Sequence, residues 1–200
     1  MWGLIVYCGG TFLLAQMGRD LGKTQEPKLF TKWHGKPTIH LLRHRDNPNP
    51  VLLSRRHSLL QALLPDVRLP SVSEERSAPE HAEAVYEACT RFLITHTRDR
   101  KQFPLIFEEN CNYGFRRNLW GAKPVALGIS ALCLAAVALL IGIQWSRGQA
   151  PQAVQLVCAA GNLVLLALWL IWFTPSWVKT AGEAYSERLL DALEIIAASN

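Results

Sequence analysis

Paired cysteines, catalytic signatures and alternating strands are all missing from this 200-residue chain. Of its five cysteines, Cys8, Cys133 and Cys158 fall in apolar stretches, while Cys89 and Cys111 stand alone with no C-x-x-C spacing. Neither a disulfide framework nor a zinc ribbon is implied. Such usage fits a reducing compartment for the water-facing part. No Walker loop, G-x-S-x-G elbow or dinucleotide fingerprint occurs, and GKTQEP at 22–27 does not complete a P-loop. Period-two alternation is almost absent, which argues against a sheet. Charge is missing from two long runs, 124–146 and 148–178, separated only by Arg147. Pumps and transporters place ionisable or discontinuous elements at membrane depth, so this lack argues against transport by a single copy.

What is present is apolar length. Residues 125–145 supply 21 uncharged positions, and about 20 are needed to cross a hydrocarbon core at roughly 1.5 Å per residue. Trp120 and Trp145 bracket this span, as interfacial tryptophans do. A second span, 153–174, ends before Pro175, and the short connection 146–152 with Pro151 makes the two antiparallel neighbours. Gly128, Ala131, Ala135, Ala138 and Gly142 form a small-residue stripe, expected to meet Ala153, Ala160 and Ala167 of the partner span, with self-association as the rival use. Residues 1–18 form a third apolar stretch, read as an anchor because it lacks a basic n-region and a convincing cleavage site.

The 105 residues between, 19–123, hold 18 of the 21 basic residues, 12 of the 16 acidic ones and all six histidines. Retention of Lys and Arg on the cytoplasmic side explains this balance more economically than nucleic acid does. The expected layout is therefore an all-α membrane protein. It has an N-terminal transmembrane span (1–18, N-terminus out), a small helical cytoplasmic domain (19–123), a two-span transmembrane hairpin (124–178) and a cytoplasmic amphipathic tail helix (179–200).

Turn signals cut 19–123 into short helices. A basic helix over 26–34 stops at Gly35, a second covers 38–45, and 51–64 is amphipathic with Leu52, Leu59 and Leu63 inward. Ser77 and Glu80 form an S-x-x-E capping box for a helix to about residue 97, with Ala82, Val85, Tyr86, Cys89, Phe92 and His96 on one face. Over 103–120 a helix stacks Glu108, Asn112 and Arg116, and beside them Glu109, Tyr113 and Arg117, at four-residue intervals. These two ladders, with Arg43 and Arg45, are the candidate binding residues for an anionic ligand or a partner. The preferred reading of the ladders alone is an interfacial helix whose arginines face phospholipid headgroups. The tail carries Tyr185, Leu189, Leu193 and Ile196 as an apolar stripe.

His40 and His44, four apart, with Asp46 nearby, are the weak candidates for a metal. H-x-x-x-H without the Glu of H-E-x-x-H is a poor signal, and the surrounding arginines suit phosphate better. Cys89 and His96 stand about 10 Å apart along a helix, too far for proton transfer. No cofactor is expected.

Two stretches carry a resemblance: GKTQEPKLFTKWHGKPTIHLLRHRDN at 22–47 and RDRKQFPLIFEENCNYGFRRNLWGAKP at 98–124. They resemble the EP-x-L, W-x-G-x-P-T, LRHRD, EN-x-x-YGFRRN and G-x-KP pattern of a family of bacterial multipass inner-membrane proteins with no known activity. The resemblance implies inner-membrane localisation and further hydrophobic sequence upstream of 7–16. The functional expectation is a non-enzymatic membrane protein whose basic cytoplasmic domain binds a partner protein, an anionic ligand or lipid headgroups. Its alternatives are an oligomeric membrane-permeabilising effector and a membrane-bound metal-dependent enzyme. The expected partners are the bilayer, its anionic headgroups, and a protein partner or further copies of the chain.

Overall fold

The computed structural model describes residues 2–199, with side chains from residue 10 to residue 198. Met1 and the side chains of residues 2–9, half of the span expected over 1–18, lie outside the described residues. Among the described residues there are helices and no strand: α1 (Trp2–Lys32), α2 (Pro37–His40), α3 (Pro50–Leu63), α4 (Val72–Ser77), α5 (Pro79–His96), α6 (Pro104–Ser146), α7 (Ala153–Ile171) and α8 (Pro175–Ser199). They divide into two compact units, the first made of Met1–Glu26 and Phe115–Val178, the second of Pro27–Gly114 and Lys179–Asn200.

Two expected helix boundaries vanish. The apolar N-terminal stretch and the basic 26–34 segment are one helix, α1, with Pro27 inside it. The ladder segment and the next span are likewise one helix, α6, containing Pro124. Proline removes one intrahelical N–H, a local cost that the long runs of helix on either side outweigh. His34 ends α1 in the left-handed region (φ 59°), and Gly35 follows at φ 141° with its N–H on the Phe30 carbonyl at 2.9 Å. This is the six-to-one bond of a Schellman-type stop.

In the first unit, α1 and α6 touch through glycine. A methyl group on Gly121 would lie 2.6 Å from Gly22 Cα, and one on Gly22 would lie 2.8 Å from Asn118 Cα. Beside this crossing Arg117 pairs with Glu26 at 3.0 Å, both largely buried. Helices α6 and α7 are each long and apolar enough to cross a membrane. They meet through Asn162, whose Nδ2 donates to the Ser130 carbonyl at 3.0 Å. The part-buried positions are Leu134, Val137, Ile141 and Gln144 on α6 and Gln155, Ala159, Asn162, Leu166 and Trp169 on α7.

The expected meeting of small-residue stripes is therefore corrected: Gly128, Ala131, Ala135, Ala138 and Gly142 are exposed, as are Ala153, Ala160 and Ala167. An amide left on an apolar outer surface would be unpaired, so Asn162 and its stripe turn inward instead of the alanines. Lys123 closes the other end of the pair, its Nζ donating to the Leu170 and Phe173 carbonyls at 3.2 and 3.1 Å. Those are the orphan acceptors that a helix C-terminus leaves.

The second unit has a core of Leu42, Leu60, Tyr86, Cys89, Leu93, Phe103 and Ile106, closed by Leu189, Leu190, Leu193 and Ile196 of α8. Helix α2 is shorter than the expected 38–45 helix. Helix α3 buries Leu53, Arg56 and Leu60, while Leu52 stays exposed. The expected Leu59 and Leu63 pack partly buried against this core, and Arg56 lies along it as well, its head reaching Asp191 at 3.6 Å. The capping box also moves: Ser71 and Glu74 cap α4 reciprocally, whereas Ser77 is the last residue of that helix and Pro79 starts α5.

Gly121→Ala should cost about 1–3 kcal/mol, because the clash is with backbone that no rotamer change relieves. Gly128→Ala, which meets nothing within 4 Å, should leave stability unchanged or slightly raised. Unfolding of both variants in mixed detergent micelles checks this; equal losses would contradict the close α1–α6 crossing.

Candidate functional site

The expected site residues fall into three places. Arg43 is 2% exposed. Its Nη1 donates to the His34 carbonyl at 3.1 Å and to Asp46 Oδ2 at 3.0 Å, and its Nη2 pairs with Glu83. Gly35 makes room for this guanidinium, since a methyl group there would lie 2.9 Å from Arg43 Nη2. Arg45 is half-exposed and more loosely held, with Asp46 at 3.9 Å and Glu83 at 3.4 Å. Glu108, Glu109, Asn112 and Tyr113 belong to the second unit, and Arg116 and Arg117 to the first.

Asn112 Nδ2 donates to Glu109 at 3.5 Å, and Tyr113 lies parallel to Tyr185 at 6.5 Å between centroids. Arg116 donates to the Trp177 carbonyl at 3.0 Å and lies over the Trp177 ring at 4.9 Å. Arg116 and Arg117 are thus engaged with protein groups.

The metal candidates separate. His40 bridges the Trp33 carbonyl (2.9 Å) and Asp46 (2.6 Å), while His44 donates from Nε2 to the Pro70 carbonyl at 3.0 Å. Burial raises the Asp46 carboxyl, but hydrogen bonds from His40 and Arg43 more than reverse this, leaving it below its ordinary value. Arg43 supplies beside Asp46 the positive charge that an ion would bring. Among the described residues no three His, Cys, Asp or Glu side chains are arranged to hold a metal. Cys89 is buried, which pushes its thiol up to about 11, so it is an inert core residue. His96 packs on Phe92 and bonds to the Phe92 carbonyl at 2.9 Å.

A different constellation is assembled in the second unit. Between the turn after α2, the starts of α3 and α5, and α4 lies a cleft of about 590 Å³. Pro50, Leu53, Val72 and Pro79 give it apolar walls, and Arg45, Arg76, His44, His57, Asn47, Ser54 and Ser58 bring polar groups to it. Arg76 has no ion-pair partner among the described residues, in contrast to Arg43.

Glu75 fixes the geometry of this cleft. Its buried carboxylate accepts from His44 N–H (2.8 Å), Arg45 N–H (3.3 Å) and Tyr86 O–H (2.8 Å). One side chain of α4 thereby ties down both the turn after α2 and the middle of α5. Burial raises the Glu75 carboxyl, yet these donors prevail and hold it below its usual range; the Tyr86 phenol is pushed up by its own burial and by that bond. His57, on α3, donates from Nε2 to the Leu42 carbonyl at 2.9 Å and lies edge-to-face with His44 at 5.0 Å. Burial lowers its pKa, and the neighbouring His44 adds to this.

Sequence reasoning reached Arg45 and missed His57, Glu75 and Arg76. His57 lies four residues after Leu53 and three before Leu60, so it is visible once the inward face of α3 is assigned correctly. The Ser71–Glu74 box was the available sign that α4 exists at all. No family model, curated protein or solved structure matches the chain.

Glu75→Gln should lower stability by about 2–3 kcal/mol at neutral pH, because an amide nitrogen would face backbone donors; Tyr86→Phe, which removes one donor of three, should cost about 1 kcal/mol. The folded Glu75 pKa is depressed, so its contribution is present above the ordinary value of 4.5 and is lost as pH falls through the lower folded value. Denaturation curves between pH 7 and 3 should converge for wild type and Glu75→Gln at the acid end. Parallel curves would contradict the assigned bonds.

Proposed function

We propose that this chain is a multipass membrane protein without enzymatic activity whose second unit binds an anionic ligand in the cleft beside His44, Arg45, His57 and Arg76. The observation that carries this reading is the combination of a half-open cleft with apolar walls and the cation of Arg76, which has no ion-pair partner among the described residues. Elsewhere in the same unit Arg43 is paired with Asp46 and Glu83, Arg55 with Glu194 and Arg56 with Asp191. Glu75 is the carboxylate lining the cleft, and its acceptor capacity is taken by three donors. Arg76 therefore has charge left for a phosphate, sulfate or carboxylate group, with Arg45, loosely held by Asp46 and Glu83, beside it.

In this reading α6 and α7 form a transmembrane hairpin with Arg147 on the outer side. The N-terminal part of α1 is a further span, and 19–123 and the tail lie on the cytoplasmic side of a bacterial inner membrane. The support is the asymmetry of Lys and Arg about the apolar runs.

Inorganic phosphate binding by the full chain tests the reading, in nanodiscs of phosphatidylcholine and, separately, of phosphatidylcholine with phosphatidylglycerol. Phosphate should raise the unfolding temperature in neutral discs, and Arg76→Gln should weaken binding roughly tenfold or more. Stabilisation by phosphatidylglycerol in place of phosphate would assign the cleft to lipid headgroups. Equal behaviour of wild type and Arg76→Gln with both anions would overturn the site.

A further inference from the structure

We propose that anion binding in this cleft is coupled to uptake of a proton by His57, so that the protein binds its ligand more tightly as pH falls from about 7.5 to 5.5. The inference rests on the anion-binding reading above and adds to it a chemical link between ligand and proton.

The geometry defines which ring atom is involved. The His57 Nε2 faces the Leu42 carbonyl at 2.9 Å, and a carbonyl only accepts, so the neutral ring carries its proton on Nε2 and its lone pair on Nδ1. His44 is fixed in the same way by the Pro70 carbonyl. Two imidazoles thus line one cleft in the same tautomer, their centroids 5.0 Å apart, each with Nδ1 as the remaining basic atom.

The groups facing His57 come from three elements. The turn after α2 contributes His44 and Arg45, α4 contributes Glu75 and Arg76, and α5 contributes Tyr86, whose ring lies 6.0 Å away. Glu75 is held in its ionised form by three donors and Tyr86 keeps its proton, so neither changes charge between pH 5 and 8. Imidazole is the side chain that ordinarily titrates in that range. Burial, the largest effect, and the adjacent His44 lower the His57 pKa against the Leu42 carbonyl and Glu75, which raise it. An anion brought alongside shifts that balance, because it adds to the negative charge that Glu75 already supplies. One proton adds to Nδ1, giving a second N–H donor, and the net charge entering the cleft falls by one unit. A group with a depressed pKa in the free protein and a higher one in the complex makes binding favour low pH.

Sulfate is the suitable probe, since it stays a dianion throughout this range and its own protonation does not confuse the result. Calorimetric titration of the full chain in phosphatidylcholine nanodiscs, in two buffers of different ionisation enthalpy at pH 7, reads the proton directly. The expected result is uptake of up to one proton per sulfate and affinity rising several-fold toward pH 5.5. In His57→Gln, whose amide nitrogen can keep the bond to the Leu42 carbonyl, proton uptake should be lost and the residual affinity for sulfate should no longer depend on pH. Sulfate binding by wild type with no proton uptake would overturn the coupling and leave the anion site standing. Absence of sulfate binding at every pH would remove both. The wild-type buffer comparison needs no variant, so a His57→Gln that fails to fold does not shield the proposal.

Discussion

The outer surface of α6 beyond Val125 and of α7 is made of apolar side chains that touch almost no other part of the protein. Leu132 is 73% exposed, Val157 70%, Ile171 75% and Leu139 65%. Taking each such side chain out of water contributes about 1.5–3 kcal/mol, so a surface of this extent favours an apolar surrounding for these two helices. Everything polar in the pair must then be dealt with internally. Asn162 gives its amide to the Ser130 carbonyl, Lys123 serves the last carbonyls of α7, and α1 closes on α6 through Gly22 and Gly121, where only a bare backbone fits.

The same demand explains where the basic residues go. Lys and Arg near apolar spans are usually attributed to headgroups and topology. Here Arg116 holds the Trp177 carbonyl and ring, Arg117 pairs with Glu26, and Arg43 is buried among His34, Asp46 and Glu83. Each contact joins segments far apart in the chain or stitches a turn that has no core of its own. In the cleft the charge of Arg76 is framed by a carboxylate, Glu75, that already accepts from three donors.

Apolar length and capping chemistry made much of the fold legible. The helix in the tail, with Leu189, Leu193 and Ile196 inward, and the boundaries of α3 and α7 follow from periodicity and from Pro50, Pro151 and Pro175. What failed was whatever depends on a partner surface. The side of α6 that faces α7 is set by a single Asn–carbonyl bond, not by the five small residues that outnumber it. The inward face of α3 includes Arg56, which lies along the core, and hydrophobicity alone hides that. The ladders on α6 repeat at four-residue spacing, and Arg116 and Arg117 also reach Trp177 of α8 and Glu26 of α1, 61 and 91 positions away. The cleft was out of reach for the same reason: His44, His57, Glu75 and Arg76 come from three separate elements, and His57, Glu75 and Arg76 form no motif in the chain.

The proposed arrangement has one direct test, the sidedness of the turn between α6 and α7 relative to the cleft. Single cysteines introduced as Gly148→Cys and Ser73→Cys into a background with the native cysteines replaced by alanine or serine would be treated in intact cells with a membrane-impermeant maleimide. The proposed topology predicts immediate labelling at 148, labelling at 73 only after permeabilisation, and retention of the protein in the membrane pellet at alkaline pH. Labelling of position 73 in intact cells, or release of the chain by alkaline extraction, would contradict it.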